Sequence, residues 1–199
     1  MVRVALSVEG LTEERFVKEV LAEHFYPLDI YLYPVKIQTP LNVYRVAKEI
    51  RNLAYNHDFV TTLYDFYGFQ KKDRNETKIS LEEKILSFVD DDIKDQVIPY
   101  IQMYEYEGLL FSSPSTMAEI LEGEDLLEWS RSIVDEFDGN PELINNSYNT
   151  CPSRRLASKS NYKKGIHGPQ IAKSTGVRLL REKCKGFDQW LAKLENLTS

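Results

Sequence analysis

The chain has 199 residues, 42% of them hydrophobic and 28% charged, with a formal net charge of −6. That is enough apolar material for one sizeable core, or one core with a small extension, in a soluble protein. No apolar run approaches the roughly 18 residues that a bilayer span needs, and no cationic leader with a small-residue cleavage site opens the chain, so neither a membrane protein nor a secreted one is expected. Cys151 and Cys184 are too few for a disulfide framework and lack metal-pair spacing, which points to reduced thiols in a cytoplasmic protein. The charge is unevenly divided. Residues 150–199 carry eleven Lys/Arg against three acids, whereas the first 149 carry fourteen against twenty-eight. An acidic body can hold metal ions and a basic end can hold phosphates, although two such ends can also simply neutralise one another.

The apolar run of residues 2–8 stops at Glu9 and Gly10 and reads as a buried strand of a parallel sheet. Thr12 is the expected N-cap of the helix that follows, with Glu13 and Glu14 at its positive end and Phe16, Val17, Val20 and Leu21 facing inward. Residues 30–37 form a second strand, placed at an edge or a bulge by Pro34. Asn42 caps a helix with apolar positions Val43, Val46, Ile50 and Leu53. Residues 59–64 are β-branched and aromatic and stop at Asp65, a few residues before Gly68, repeating the first unit. Alternation of this kind predicts a doubly wound or related α/β sheet.

Residues 70–77 are polar and basic and read as a loop; Ser80 with Glu83 predicts a capping box for a helix running to Phe88. The consecutive Asp90, Asp91 and Asp92 point in different directions on a helix and are expected to be a solvated end. Residues 96–104 are predicted to be a fourth strand, again ending at acids, with Glu105 and Glu107 on one face if the segment stays extended. Adjacent parallel strands bring their carboxyl ends together, so acids at Glu9, Asp65 and Glu105 or Glu107 would crowd one rim, where ligands bind in open α/β sheets. Crowded carboxylates repel unless protonated or bridged, and a hard divalent ion, Mg²⁺ or Mn²⁺, is the economical bridge.

Helices are expected at residues 117–121 and 125–137, followed by a turn at residues 138–141 and a polar loop from Asn145 into Arg154 and Arg155. Residues 162–172 combine Lys163, Lys164, Gly165, His167 and Gly168 with Pro169, which suits the first turn of a helix. A basic glycine-bearing loop there is a plausible phosphate seat, though it matches no nucleotide fingerprint. Two amphipathic pieces, residues 178–184 and 187–194, close the chain, and Phe187, Trp190, Leu191 and Leu194 are expected in the core. Of the three histidines, His24 and His57 are expected to be structural, and His167 is the one kept as a substrate contact or acid/base candidate.

Five segments together resemble a known family: residues 8–13 (with Glu9, Gly10, Thr12, Glu13), 64–68 (with Asp65 and Gly68), 105–111 (with Glu105 and Glu107), 152–155 (with Arg154 and Arg155) and 164–172 (with Lys164, His167 and Pro169). The resemblance is to a Toprim-like prokaryotic family of unassigned function, similar to OLD-type nucleases and to Toprim subunits encoded beside ABC/SMC-like ATPases in phage-defence loci. It implies an α/β, Rossmann-like, mostly parallel sheet flanked by helices over residues 1–112, with a basic helical extension over residues 113–199. It also implies a metal-dependent nuclease acting on DNA or RNA with an ATPase partner. Glu9 matches the Toprim glutamate that ligates metal or acts as general acid/base, and Asp65 the first aspartate of the Asp-x-Asp motif. The second aspartate position is Tyr67, and losing that acid weakens two-metal chemistry. The expected set is therefore Glu9, Asp65, Glu105 and Glu107 for Mg²⁺ or Mn²⁺ and catalysis, with Arg154, Arg155, Lys163, Lys164 and His167 on the nucleic acid. A catalytically silent Toprim module that binds and regulates a partner is the alternative. A plain acidic domain whose carboxylates face water is the third.

Overall fold

A computed structural model describes residues 1–123, 125–145 and 148–198. Asn146 and Ser147, part of the polar loop expected before Arg154, lie outside the described residues. The chain runs β1 (Val2–Val8), α1 (Leu11–Phe16), a π-helical turn (Val17–Leu21), α2 (Ala22–Phe25), β2 (Ile30–Lys36), α3 (Val43–Ala54), β3 (Phe59–Asp65), α4 (Lys78–Ser87), β4 (Val97–Ile98) and β5 (Ile101–Gln102). A buried 3₁₀ helix (Tyr106–Ser112) then leads to α5 (Pro114–Leu121), α6 (Leu126–Glu136), α7 (Pro152–Lys159), α8 (Lys164–Thr175), α9 (Val177–Lys183) and α10 (Lys185–Glu195).

The strands form one parallel sheet in the order β2-β1-β3-β4, with β5 also on β3. It is an α/β fold with helices on both faces. Alternation along β1 and β3 explains the two layers. Val4, Leu6, Val8 and Leu63 face a core shared with Phe16, Leu21, Phe111 and the helices beyond it. Ala5, Val60 and Tyr64 face a second core built with Val46 and Ile50 of α3 and Ile85 of α4. The first core includes Leu156, Ile171, Leu180 and Trp190, so the C-terminal helices bury their apolar faces on the same sheet surface as α1. Pro34 falls on the edge strand, where its missing N–H breaks no ladder.

Several local expectations are corrected. Helix α1 starts at Leu11 behind an extended Gly10, so Thr12 is not its cap; buried Thr12 instead lies against Gly168 of α8. Asn42 does cap α3, accepting the Arg45 N–H at 3.0 Å. The capping box of α4 pairs Thr77 with Ser80, not Ser80 with Glu83. The fourth strand is cut in two at Pro99, which cannot donate, and Thr62 bridges the gap. Its Oγ1 accepts the Tyr100 N–H at 2.9 Å and donates to the Tyr100 carbonyl at 2.8 Å. The segment does not continue extended to Glu107. Tyr104 takes a left-handed φ of 62° and the chain coils into the 3₁₀ helix, so Glu105 and Glu107 diverge. The end of the expected polar loop, with Arg154 and Arg155, is instead the start of helix α7, led by Pro152 in its first turn.

Pro169 lies in the sixth position of α8 rather than its first turn. Proline there leaves the carbonyl four residues earlier without its helical partner. That carbonyl belongs to Gly165, and Arg15 Nη1 donates to it at 2.5 Å while Glu19 holds the guanidinium at 2.7 Å. A break in one helix is thus mended from another, and the start of α8 is fixed against α1. Glu142 acts similarly on α10: its carboxylate accepts the Gly186 and Phe187 N–H groups at 2.7 and 3.1 Å. Both thiols are free and buried. No helix among the described residues is long and apolar enough to cross a membrane.

Candidate functional site

The chain leaves β1 in one direction and β3 in the other, so the carboxyl ends of these two neighbours form the switch point of the sheet, where crevices open. Glu9 is the residue after β1 and Asp65 the last residue of β3. The strand register pairs Val8 with Leu63, which fixes both acids to one edge. Gly68 makes the room: a Cβ there would lie 1.7 Å from Glu9 Oε1. The carboxylate of Glu9 occupies the space where a side chain at this position would stand, so a larger residue would have to displace it.

Glu107 reaches the same place from the 3₁₀ helix and is fully buried. Lys164, the first residue of α8, supplies the counter-charge, its Nζ 3.8 Å from Asp65 Oδ2 and 3.3 Å from Glu107 Oε2. Asp65 Oδ1 accepts the Tyr106 N–H at 2.7 Å, and Glu107 Oε1 accepts the Tyr162 hydroxyl at 3.2 Å. Among the described residues, buried Glu9 Oε1 has no hydrogen-bond partner, and Glu107 Oε2 has only the Lys164 ammonium at 3.3 Å.

Lys164 and, near Glu9, Lys72 do not balance so many acids. Burial, then the nearby Glu13, push the Glu9 carboxyl up to about 7, against the pull of Lys164. Burial likewise raises Asp65 and Glu107, with Lys164 again opposing. Burial draws the Lys164 ammonium down, but Asp65, Glu107, Glu13 and Glu105 together outweigh it and hold its pKa above the lysine value. The three raised carboxyls favour states in which a further positive charge enters the cluster, whereas Lys164 is held in its charged form by the same acids.

Residues 8–195 match a family described as Domain of unknown function (DUF4276). The chain belongs to this family. The matched span contains Glu9, Asp65, Glu107 and Lys164, so the whole cluster lies within the DUF4276 region. Among solved structures, the chain is similar to the C-terminal region of the Xanthomonas campestris pv. campestris OLD protein, at 13% identity and a TM-score of 0.44, covering 96% of this chain and 97% of that one. No curated protein matches.

The other residues expected at the site are placed variously in this DUF4276 chain. Both oxygens of Glu105 are engaged by Ser153, from its N–H at 2.9 Å and its hydroxyl at 3.0 Å, so Glu105 secures the start of α7. Arg155 donates to the Thr150 carbonyl at 2.6 Å and lies over the Phe137 ring, a structural role. Arg154 and Lys163 are exposed. His167 Nδ1 accepts the Lys163 N–H at 3.1 Å, which places its proton on Nε2 and uses the ring to start α8. His24 meets Glu195, and His57 meets the Leu53 carbonyl. Tyr67 packs on Tyr104 and accepts a hydrogen bond from Asn145. Among the described residues, no three Asp, Glu, His or Cys side chains are spaced to share one ion.

Three contributors escape sequence reasoning. Glu13 reads as a helix-dipole acid but is buried beside Glu9. Lys72, in a segment that looks like a solvated loop, is half-buried and donates to the Phe69 carbonyl at 2.5 Å, near enough to Glu9 for their charges to interact. Tyr162 looks like part of a basic loop. Only the four-residue spacing of Glu9 and Glu13 across a helix start hints at any of them.

Proposed function

We propose that this DUF4276 chain is a Mg²⁺- or Mn²⁺-dependent phosphodiesterase of Toprim type that hydrolyses DNA or RNA, working with an ABC/SMC-like ATPase in phage defence. The carrying observation is the convergence of Glu9, Asp65 and Glu107 at the switch point with the buried Glu9 Oε1 unpartnered. An orphaned carboxylate oxygen beside other carboxylates is a hard, all-oxygen donor set, the kind these ions select. Mg²⁺ keeps several waters and needs only one or two carboxylates, so a spaced trio is not required. Glu9 and Asp65 would hold the ion, with Glu107 rather than the engaged Glu105 behind them. When bound, the metal supplies charge neutralisation at the scissile phosphate and an acidified water. Without an ion beside it the Glu9 carboxyl lies at about 7, so binding the metal would release a proton from Glu9. Lys164 offsets phosphate charge, and Lys163 and Arg154 contact the backbone in a sequence-independent way.

Two observations favour a second reading, a catalytically silent Toprim module that binds and regulates a partner. Lys164 already supplies a cation between Asp65 and Glu107, and Tyr67 stands where a second acid is expected. The test is cleavage of labelled single- and double-stranded DNA and RNA with Mn²⁺ or Mg²⁺, by the wild type and by the E9A and D65A variants, each checked for folding by circular dichroism. Metal-dependent cleavage lost in both variants supports the hydrolase. Cleavage that persists in both rejects the site, and the absence of Mn²⁺ binding by calorimetry with no cleavage supports the silent module.

A further inference from the structure

The segment that follows β3 connects the acidic cluster to a second concavity. Phe69 bridges to Leu41, and the Gln70 N–H donates to the Leu41 carbonyl at 3.0 Å, which fastens this segment to the start of α3. Lys71 takes a left-handed φ of 58°, so successive lysines diverge. Lys72 approaches Glu9, whereas Lys71 lines a cavity of about 410 Å³ with Asn42, Tyr44, Gln70, Lys84 and Phe88.

Two aromatic rings form the wall of that cavity, and neither belongs to the core. The buried stripe of α3 is Val43, Val46, Ala47 and Ile50, so Tyr44 falls outside it and is 70% exposed. Its ring meets that of Phe88, itself 37% exposed, at a centroid distance of 4.5 Å. One turn along the exposed face of α3 from Tyr44, Lys48 lines a further cavity of about 490 Å³ with Arg45, Lys36, Gln38, Asn52 and Glu49. Arg45 Nη1 is oriented by the Gln38 and Pro40 carbonyls at 3.2 and 2.9 Å. Among the described residues, no acid lies within ion-pair distance of Arg45 or Lys48, although the chain is net negative and most of its other arginines are paired.

Exposed aromatic faces beside unneutralised cations are how proteins hold unpaired bases and the phosphates joining them. A duplex offers phosphates but keeps its bases stacked inside, so the aromatic pair would have nothing to accept. We propose that the N-terminal half of α3 and the segment after β3 form a binding track for single-stranded nucleic acid, with a base on Tyr44 and Phe88 and backbone phosphates on Lys71, Arg45 and Lys48. The track leads through Lys71 and Lys72 to Glu9. This deepens the hydrolase reading by naming the strandedness of its substrate, and rests on that reading only for what happens to the strand once bound.

The test is fluorescence anisotropy of a labelled mixed-sequence 15-mer and of its duplex, in EDTA so that no hydrolysis intervenes. The wild type should prefer the single strand. Y44A/F88A should weaken strand binding roughly tenfold or more, the loss of one or two stacked bases. R45E/K48E should weaken it and flatten its salt dependence. Tyr44, Phe88 and Lys48 are exposed and Arg45 is half-buried, and unchanged circular dichroism confirms each fold, with Y44A alone as the milder variant. Equal binding of strand and duplex, or no effect of Y44A/F88A, overturns the proposal. Displacement of the strand by adenosine monophosphate at comparable concentration overturns it in favour of a free nucleotide. Because the measurement excludes metal, a chain that binds the strand but never cleaves would sink the hydrolase reading alone.

Discussion

Replacing Glu9 by glutamine tests the electrostatics of the cluster most directly. The carboxyl of Glu9 moves from the ordinary 4.5 to about 7, chiefly through burial and then through Glu13. The folded state therefore binds this proton more tightly than the unfolded chain does. Its contribution to stability is fully present below pH 4.5 and is lost as pH rises through 7. At about 1.4 kcal/mol per pH unit, the interval is worth about 3 kcal/mol. Glutamine keeps the shape and cannot ionise. The stability of E9Q minus that of the wild type should therefore grow by about 3 kcal/mol between pH 4 and pH 8.5. Urea denaturation of both proteins in EDTA at the two pH values gives the difference, with constant effects of the amide cancelling. A difference that stays flat within about 0.5 kcal/mol, the usual scale of a neutral surface change, would refute the claim that Glu9 is held against its charge. Saturating Mn²⁺ at pH 8.5 should then stabilise the wild type more than E9Q, because only the wild type presents the full carboxylate set.

Two further predictions concern the supports of the site. G68A forces a Cβ to within 1.7 Å of Glu9 Oε1 and should cost about 1–3 kcal/mol by urea melt. The cost should shrink in an E9A background, and equal costs in both backgrounds would show that the two residues do not compete for space. R15M leaves the Gly165 carbonyl without the donor that replaces the Pro169 N–H and should cost about 1–2 kcal/mol. An unchanged denaturation midpoint would mean that α8 does not need that donor.

Much of the first half of the fold was legible in the sequence because each unit carries its own periodic pattern. Residues 2–8 and 59–64 are apolar runs closed by an acid, and both are strands of a parallel sheet. The stripe of Val43, Val46 and Ile50 behind Asn42 is a capped helix. What such patterns miss are changes of direction decided by distant partners. The expected fourth strand breaks at Pro99, and the break is sustained because Thr62, on another strand, satisfies the backbone at Tyr100. Pro169 sits inside a helix because Arg15, far away in the chain, replaces the hydrogen bond it removes.

The sequence by itself determined that acids close the strands β1 and β3; that these two strands are parallel neighbours in register, so that the acids share a rim, was decided by the tertiary structure. Tertiary structure alone decided which further groups join them. Glu107 enters and Glu105 leaves because one left-handed residue, Tyr104, turns the chain between the strand and the 3₁₀ helix. Lys164 stands between Asp65 and Glu107 because α8 packs on α1. Burial and mutual distance set the charge state of a carboxylate, and neither is a property of the residue's place in the sequence.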